Sequence, residues 1–319
     1  MNEEKIKDYQ QRVNAILIRD YFPEYEGITV TPETVRKNNN FIRHGIVIRT
    51  NGSNIAPTFY VDDFIETHEP EAAAEEIYRS YQAHRQEAAE LNENRISLLF
   101  DFEHCKDKIC YRLINSTRNS DIIDSCPTIQ VAPDLVMAFY LQIQENATCL
   151  IKNGMVQTWG LTEDVEKTLF SYADQNTPRL HPARLQTMSA VMREMIPEKL
   201  RDEMDIDTFS PPMYILSNDQ RVSGASTVLY RNGQQLKDSL KVVQEQYELD
   251  EFYIIPSSIH EVILVPALPD MTKEKLQSMC QTVNETQVPY DEFLSDNIFA
   301  YNAIEGFRQI TFAERDLSR

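Results

Sequence analysis

The densest group of chemically able side chains lies at Pro256-Ser257-Ser258-Ile259-His260-Glu261, where a hydroxyl, an imidazole and a carboxylate follow one another closely. Nucleophilic acyl transfer needs these types: an alcohol oxygen to attack, a base to take its proton and an acid to orient the base. On a straight strand Ser258 and His260 share a face and stand roughly 6.5 Å apart, with Glu261 on the other face. A serine–imidazole hydrogen bond spans only ~3 Å, so a local triad requires the backbone to turn here. The competing expectation is structural. Ser257 and Ser258 cap a tight turn between two buried strands, while His260 and Glu261 bond nearby backbone or form an ion pair. A His-Glu pair also matches half of a metalloprotease helix, but the second histidine of that motif is missing.

Other candidates are thinner. His44, on a predicted strand, could meet His260 in space and hold a metal with Asp62 or Asp63, although histidines on apolar strands more commonly have satisfied structural roles. Asp205 and Asp207 lack the third ligand and the glycine of a calcium loop and read as linker charges. Gly224-Ala225-Ser226 matches the second half of a nucleophile elbow, without the flanking glycine and with a strand expected after it, so a turn serine fits better. Arg112, Asn115, Arg118 and Asn119 could grip a phosphate or carboxylate through guanidinium forks, or simply solvate a helix end. With only 8 glycines in 319 residues there is little material for a phosphate-cradling loop, and no cofactor is expected.

The elements that must position these groups follow from hydrophobic period and turn chemistry. Ile6, Tyr9, Val13, Ile16 and Leu17 recur at helical spacing, so residues 2–20 predict an amphipathic helix ended by Pro23. From 28 to 61, β-branched and aromatic runs separated by Asn clusters predict a small antiparallel sheet. The Ala/Glu-rich segment 70–91 predicts a long helix with Pro70 in its first turn. Residues 104–115 fit a helix through Ile109, Leu113 and Ile114, and 128–143 fit strands broken at Pro133. ThrCysLeuIle, Asn153-Gly154 and MetValGlnThrTrp predict a hairpin. Helices follow, one capped by Thr162 and running to about 176, the next over 182–195.

Pro211-Pro212, after an acidic stretch, is the best candidate boundary, giving an N-terminal region 1–208 and a C-terminal region 209–319. The latter reads strand (213–217), strand (226–230), helix (234–247), strand (252–255), strand (261–265), helix (272–284), strand (298–301). The expected class is α+β: mixed, mostly antiparallel sheets with packed helices, in two subdomains.

Fifty acidic against 31 basic side chains give a net charge of −19, which disfavours direct nucleic-acid binding and favours, if anything, a basic protein partner. The hydrophobic fraction of 42% is that of a folded globular chain. Cys105, Cys110, Cys126, Cys149 and Cys280 are odd in number and include no Cys-x-x-Cys pair, so neither a disulfide framework nor a zinc ribbon is expected. The charged opening MNEEKIKDYQ and the lack of a long apolar run predict a cytoplasmic protein outside the membrane.

The residues LysAsnAsnAsn 37–40, HisGlyIleValIle 44–48, AlaProThrPheTyrValAspAspPhe 56–64, ArgLeuIleAsn 112–115, AlaThrCysLeuIle 147–151 and SerGlyAlaSer 223–226 resemble a family, and IleIleProSerSerIleHisGluValIleLeuValPro 254–266 does so above all. It is the bacterial domain-of-unknown-function family numbered 5688, and the likeness covers most of residues 1–305. It departs from the family's pattern at Asn39-Asn40, where Asn-Gly is usual. The resemblance implies a bacterial, Clostridia-like lineage, often beside mobile-element genes, and no established chemistry. Two functions then compete: a non-catalytic binding or accessory protein, and a hydrolase or transferase built around Ser258, His260 and Glu261. The incomplete catalytic set favours the first.

Overall fold

A computed structural model describes residues 3–23, 27–51, 56–90, 97–144, 147–201, 212–269, 271–302 and 306–310. The chain divides into two compact units, Met1–His104 and Cys105–Arg319. In the first, helix α1 (Glu3–Ile16) buries Tyr9, Val13 and Ile16 along one face, at the three- and four-residue spacing of an amphipathic helix. Strands β1 (Ile28–Arg36), β2 (Ile42–Thr50) and β3 (Thr58–Tyr60) form an antiparallel sheet in that order. Helix α2 (Pro70–Glu90) opens on the proline, whose missing N–H would be unpaired at that position anyway. Its Ala73, Ala74, Ile77 and Tyr81 share a core with α1 and with Val30, Ile46 and Ile48 of the sheet.

One turn, α3 (Phe102–Cys105), ends where the second unit starts, and β4 (Ile109–Asn115) follows, where the sequence predicts a helix. Six of the seven β4 residues are buried, so its apolar residues have no reason to alternate, and a short run of this kind also fits helical spacing. Helix α4 (Ser120–Ser125) precedes β5 (Thr128–Ala132), β6 (Leu135–Gln144) and β7 (Ala147–Leu150). Strand β6 is the centre of this sheet. It pairs with β4 along one edge, and with β5 and then β7 along the other. Because β7 pairs back onto β6, the hairpin expected at Asn153-Gly154 does not form, and those residues start α5 (Asn153–Thr158).

Helix α6 (Val165–Leu180) begins after Asp164. The helix expected over 182–195 is instead β8 (Ala183–Thr187) followed by α7 (Met188–Met195), with Thr187 Oγ1 accepting the Ala190 N–H at 3.1 Å as its cap. After α8 (Glu198–Arg201) come β9 (Tyr214–Asn218) and a 3-10 turn at Gly224–Leu229, where a strand over 226–230 is expected. The remainder is α9 (Gln234–Tyr247), β10 (Glu251–Ile255), β11 (Val262–Pro266), α10 (Lys273–Thr286), β12 (Ile298–Asn302) and β13 (Gly306–Ile310).

These strands build one sheet of order β13-β12-β10-β11-β9-β8. Alternation along its strands feeds two cores. Phe252, Ile254, Leu264 and Phe299 pack with Leu236 and Leu240 of α9, while Ile255, Val265 and Ile298 pack with Leu276 and Cys280 of α10. Each fully buried leucine or phenylalanine contributes about 1.5–3 kcal/mol relative to exposure. Every strand pairing among the described residues is antiparallel, and the protein is α+β. The boundary expected at 208/209 lies outside the described residues. On either side of it, β8 and β9 pair within one sheet. Among the described residues, no helix is long and apolar enough to cross a membrane.

Candidate functional site

Strand β4 sends Cys110, Arg112 and Ile114 to one face of the four-stranded sheet. Register extends that face. Cys110 stands opposite Tyr140 and Arg112 opposite Ala138 on β6, and Gln142, two residues beyond Tyr140, stands opposite Thr148 on β7. One end of the face is apolar, with Ile114, Val136 and Ala138 buried and Ile122, Ile123 and Leu150 packed on them. At the other end Arg112, Tyr140, Gln142 and Thr148 line an open pocket of about 460 Å³. The short Ala138 leaves room for the arginine stem beside it.

Arg112 is the unusual member. Its Nε is buried without a hydrogen-bond partner, and among the described residues no carboxylate pairs with it. Its closest electrostatic companion is the Tyr140 ring, whose centroid lies 6.0 Å from the guanidinium carbon. Burial pushes the Arg112 guanidinium down from its ordinary value, while Tyr140 and Cys126 act in the opposite sense. A guanidinium nevertheless stays charged in a protein. A cation held partly out of water without a counter-charge carries a desolvation cost that a bound negative charge would offset.

The facing wall is positioned by α6. Asn176 Nδ2 donates to the carbonyls of Lys106 (2.8 Å) and Ile109 (3.1 Å), and the Tyr111 N–H donates to Thr177 Oγ1 (3.2 Å), so the end of α6 is fastened to the start of β4. His181 follows directly and is buried. Its Nε2 lies 3.1 Å from Gln142 Oε1 and its Nδ1 3.1 Å from Gln220 Oε1. The Gln142 amide nitrogen donates to the Gln144 carbonyl, which turns the Gln142 oxygen toward His181 and makes Nε2 the protonated nitrogen. Burial lowers the His181 pKa, against the Gln220 hydrogen bond and the Asp219 charge.

The wall closes with the loop after β9. Asn218 bridges it, donating from Nδ2 to the Val222 carbonyl (2.7 Å) and accepting the Val222 N–H (3.1 Å). Arg221 and Ser223 take left-handed conformations there. Gly224 is dictated by space, because a β-carbon would overlap Ser217 Oγ and the His260 carbonyl oxygen and stand 2.7 Å from the Asn218 nitrogen. The loop thus presents Gln220, Val222 and Ser223 to the pocket.

The residues singled out in the sequence are distributed differently from a reactive centre. Ser258 and His260 meet through backbone, with Ser258 Oγ accepting the His260 N–H at 3.1 Å. The imidazole is engaged elsewhere: Nδ1 accepts the Ser223 N–H (3.3 Å), and Nε2 lies 3.6 Å from Glu292 Oε1. The His260 carbonyl accepts from Ser217 Oγ at 2.7 Å, so this residue buttresses the pocket loop from behind. Burial raises the Glu261 pKa, as does Glu292, while His260 and Arg221 lower it.

In the first unit His44 does meet Asp62, which accepts from the His44 backbone N–H (2.7 Å) and lies 3.2 Å from Nδ1, whereas Asp63 pairs with Arg43 at 2.6 Å. No group of three or more His, Cys, Asp or Glu side chains suited to a metal occurs among the described residues. Asp205 and Asp207 lie outside them. Ser226 is buried in the 3-10 turn and donates to the Ser223 carbonyl (3.0 Å). The Arg112–Asn119 group separates. Arg118 stacks over Phe293, 3.6 Å from its centroid, Asn115 Oδ1 accepts the Thr117 and Arg118 N–H groups, and Asn119 Nδ2 donates to the Asn115 carbonyl. Arg112 alone reaches the pocket.

Sequence reasoning missed Tyr140, Gln142, Thr148, His181, Gln220 and Ser223. The usable signal was a charge inside IleCysTyrArgLeuIle and an amide ending LeuValMetAlaPheTyrLeuGln, each a polar group where strand burial asks for none.

The fold and pocket define an α+β protein with an open pocket lined by one arginine among the described residues. The chain belongs to a family of unknown function, DUF5688, whose model matches residues 6–303. No curated protein and no solved structure matches it.

Proposed function

We propose that this is a non-catalytic, cytoplasmic binding protein whose pocket in the second unit receives a small anion on Arg112. One observation carries the reading: a half-buried arginine that lines an open pocket, with its Nε enclosed without a hydrogen-bond partner and no carboxylate pairing with it among the described residues. A ligand that neutralised this charge would offset its desolvation cost. A binding role fits the surroundings, since both His181 nitrogens are held by glutamine amides and neither ring nitrogen of His260 addresses the Ser258 hydroxyl. The free state of the five cysteines fits a reducing compartment.

The test is Arg112→Met, which keeps length and removes charge. Thermal melts in a zwitterionic buffer, alone and with acetate, inorganic phosphate or sulfate, compare the variant with the parent chain. The ligand-free variant should be more stable by about 1–4 kcal/mol, the range for exchanging buried charge for apolar packing. At least one anion should raise the parent's midpoint and leave the variant's unmoved. A variant that melts lower than the parent, or that still responds to the same anion, would refute the assignment.

A further inference from the structure

We propose that the anion is the carboxylate of a small polyhydroxylated acid, a sugar acid of the aldonate or uronate type, held with its carboxylate on Arg112 and its hydroxyls on Thr148, Gln220 and Ser223. The inference rests on the reading of the pocket as an anion site and adds its chemical class.

Charge sets the valence. Among the described residues Arg112 is the one Lys or Arg lining the pocket, so a single negative charge is matched, whereas a phosphate monoester dianion would leave one charge uncompensated there. The chain's net charge of −19 adds to the penalty on a second negative charge. Shape points the same way, since a planar carboxylate accepts two parallel hydrogen bonds from one guanidinium with both oxygens.

The rest of the lining asks for hydroxyls. Thr148 and Ser223 line the pocket, their hydroxyls have no hydrogen bond among the described residues, and the Gln220 amide contacts His181 through one of its two ends. An alkanoate would cover these groups with hydrocarbon and leave them unpaired, at the cost of desolvating each. A ligand bearing several hydroxyls pairs with them, and the Tyr140 ring offers a face for the C–H side of a sugar. At about 460 Å³ the pocket lies in the small-metabolite range and accommodates a six-carbon acid.

Isothermal titration calorimetry on the full chain decides the matter with five probes: sodium gluconate, sodium glucuronate, glucose, sodium hexanoate and inorganic phosphate. Gluconate or glucuronate should bind at least about tenfold more tightly than hexanoate or phosphate, glucose should give no saturable heat, and Arg112→Met should abolish binding. Thr148→Val and Ser223→Ala should each weaken the sugar acid by about threefold to tenfold, the worth of one neutral hydrogen bond, and leave hexanoate unchanged. Phosphate or hexanoate binding as tightly as the sugar acids would overturn the ligand class while leaving the anion site standing. Silence from every anion, with Arg112→Met melting lower than the parent, would overturn both.

Discussion

Arg112 and His181 face the same cavity, and burial presses both toward their uncharged forms, with different outcomes. The guanidinium cannot release its proton under physiological conditions, so its cost persists until a counter-charge arrives. The imidazole can. Its folded pKa lies below the 6.5 of an exposed histidine, so between 6.5 and that lower value the unfolded chain binds the extra proton and the folded chain does not. The stabilisation from neutral His181 is therefore present above pH 6.5 and fades as the pH falls through that window. Thermal midpoints of the parent and His181→Gln from pH 8 to 5 should show the parent's advantage shrinking as acid is added. An advantage that stays constant or grows toward pH 5 would exclude this role. Glu261 works with the opposite sign: its raised folded pKa makes the unfolded chain the readier to ionise, so its effect on stability worsens as pH rises above 4.5.

Elements with strong local signals were legible in the sequence. The helices at Pro70–Glu90 and Gln234–Tyr247 fall where Ala/Glu richness and 3.6-residue periodicity place them, and Glu251–Ile255 and Val262–Pro266 fall on their β-branched runs. Failures came where tertiary pairing outweighed local chemistry. Asn153-Gly154 is a strong hairpin dipeptide, yet Ala147–Leu150 has a better partner in β6, which releases the next residues to a helix whose first bonds run from the Met155 and Val156 N–H groups to the Lys152 carbonyl. Near Ser226, side-chain hydroxyls take over backbone bonding: Ser226 donates to the Ser223 carbonyl and Thr227 to that of Gly224, favouring a tight 3-10 turn over a strand. Arg112 stood out in the sequence as a group able to grip an anion. Its neighbours were not, because Tyr140, Gln142 and Thr148 join it only through the register of three strands. The helix at 153 makes a prediction opposite to that of a hairpin. Beyond its own helix turn, no atom of the described residues lies within 4 Å of where a β-carbon on Gly154 would stand, so Gly154→Ala should stabilise the chain by about 0.5–1 kcal/mol. A turn with positive φ would make the same change destabilising, and chemical denaturation separates the two.

Across the whole molecule, 19 uncompensated negative charges repel one another, while the exposed ion pairs, such as Lys7–Glu3 and Arg79–Glu75, contribute little. Raising ionic strength from about 10 mM to about 150 mM shortens the screening length from about 30 Å to about 8 Å. The melting midpoint should therefore rise with added sodium chloride, and by the same amount in Arg112→Met if screening, rather than chloride entering the pocket, is responsible. A fall in the parent would mean that surface ion pairs outweigh the repulsion. The contact at Gly224 bears on how such a pocket diversifies. Backbone there presses against Ser217, Asn218 and His260 with no space to yield. Descendants of this chain can alter the cavity's taste by exchanging what projects from positions 220, 222 and 223, but the path of the main chain between them is inherited as a fixture.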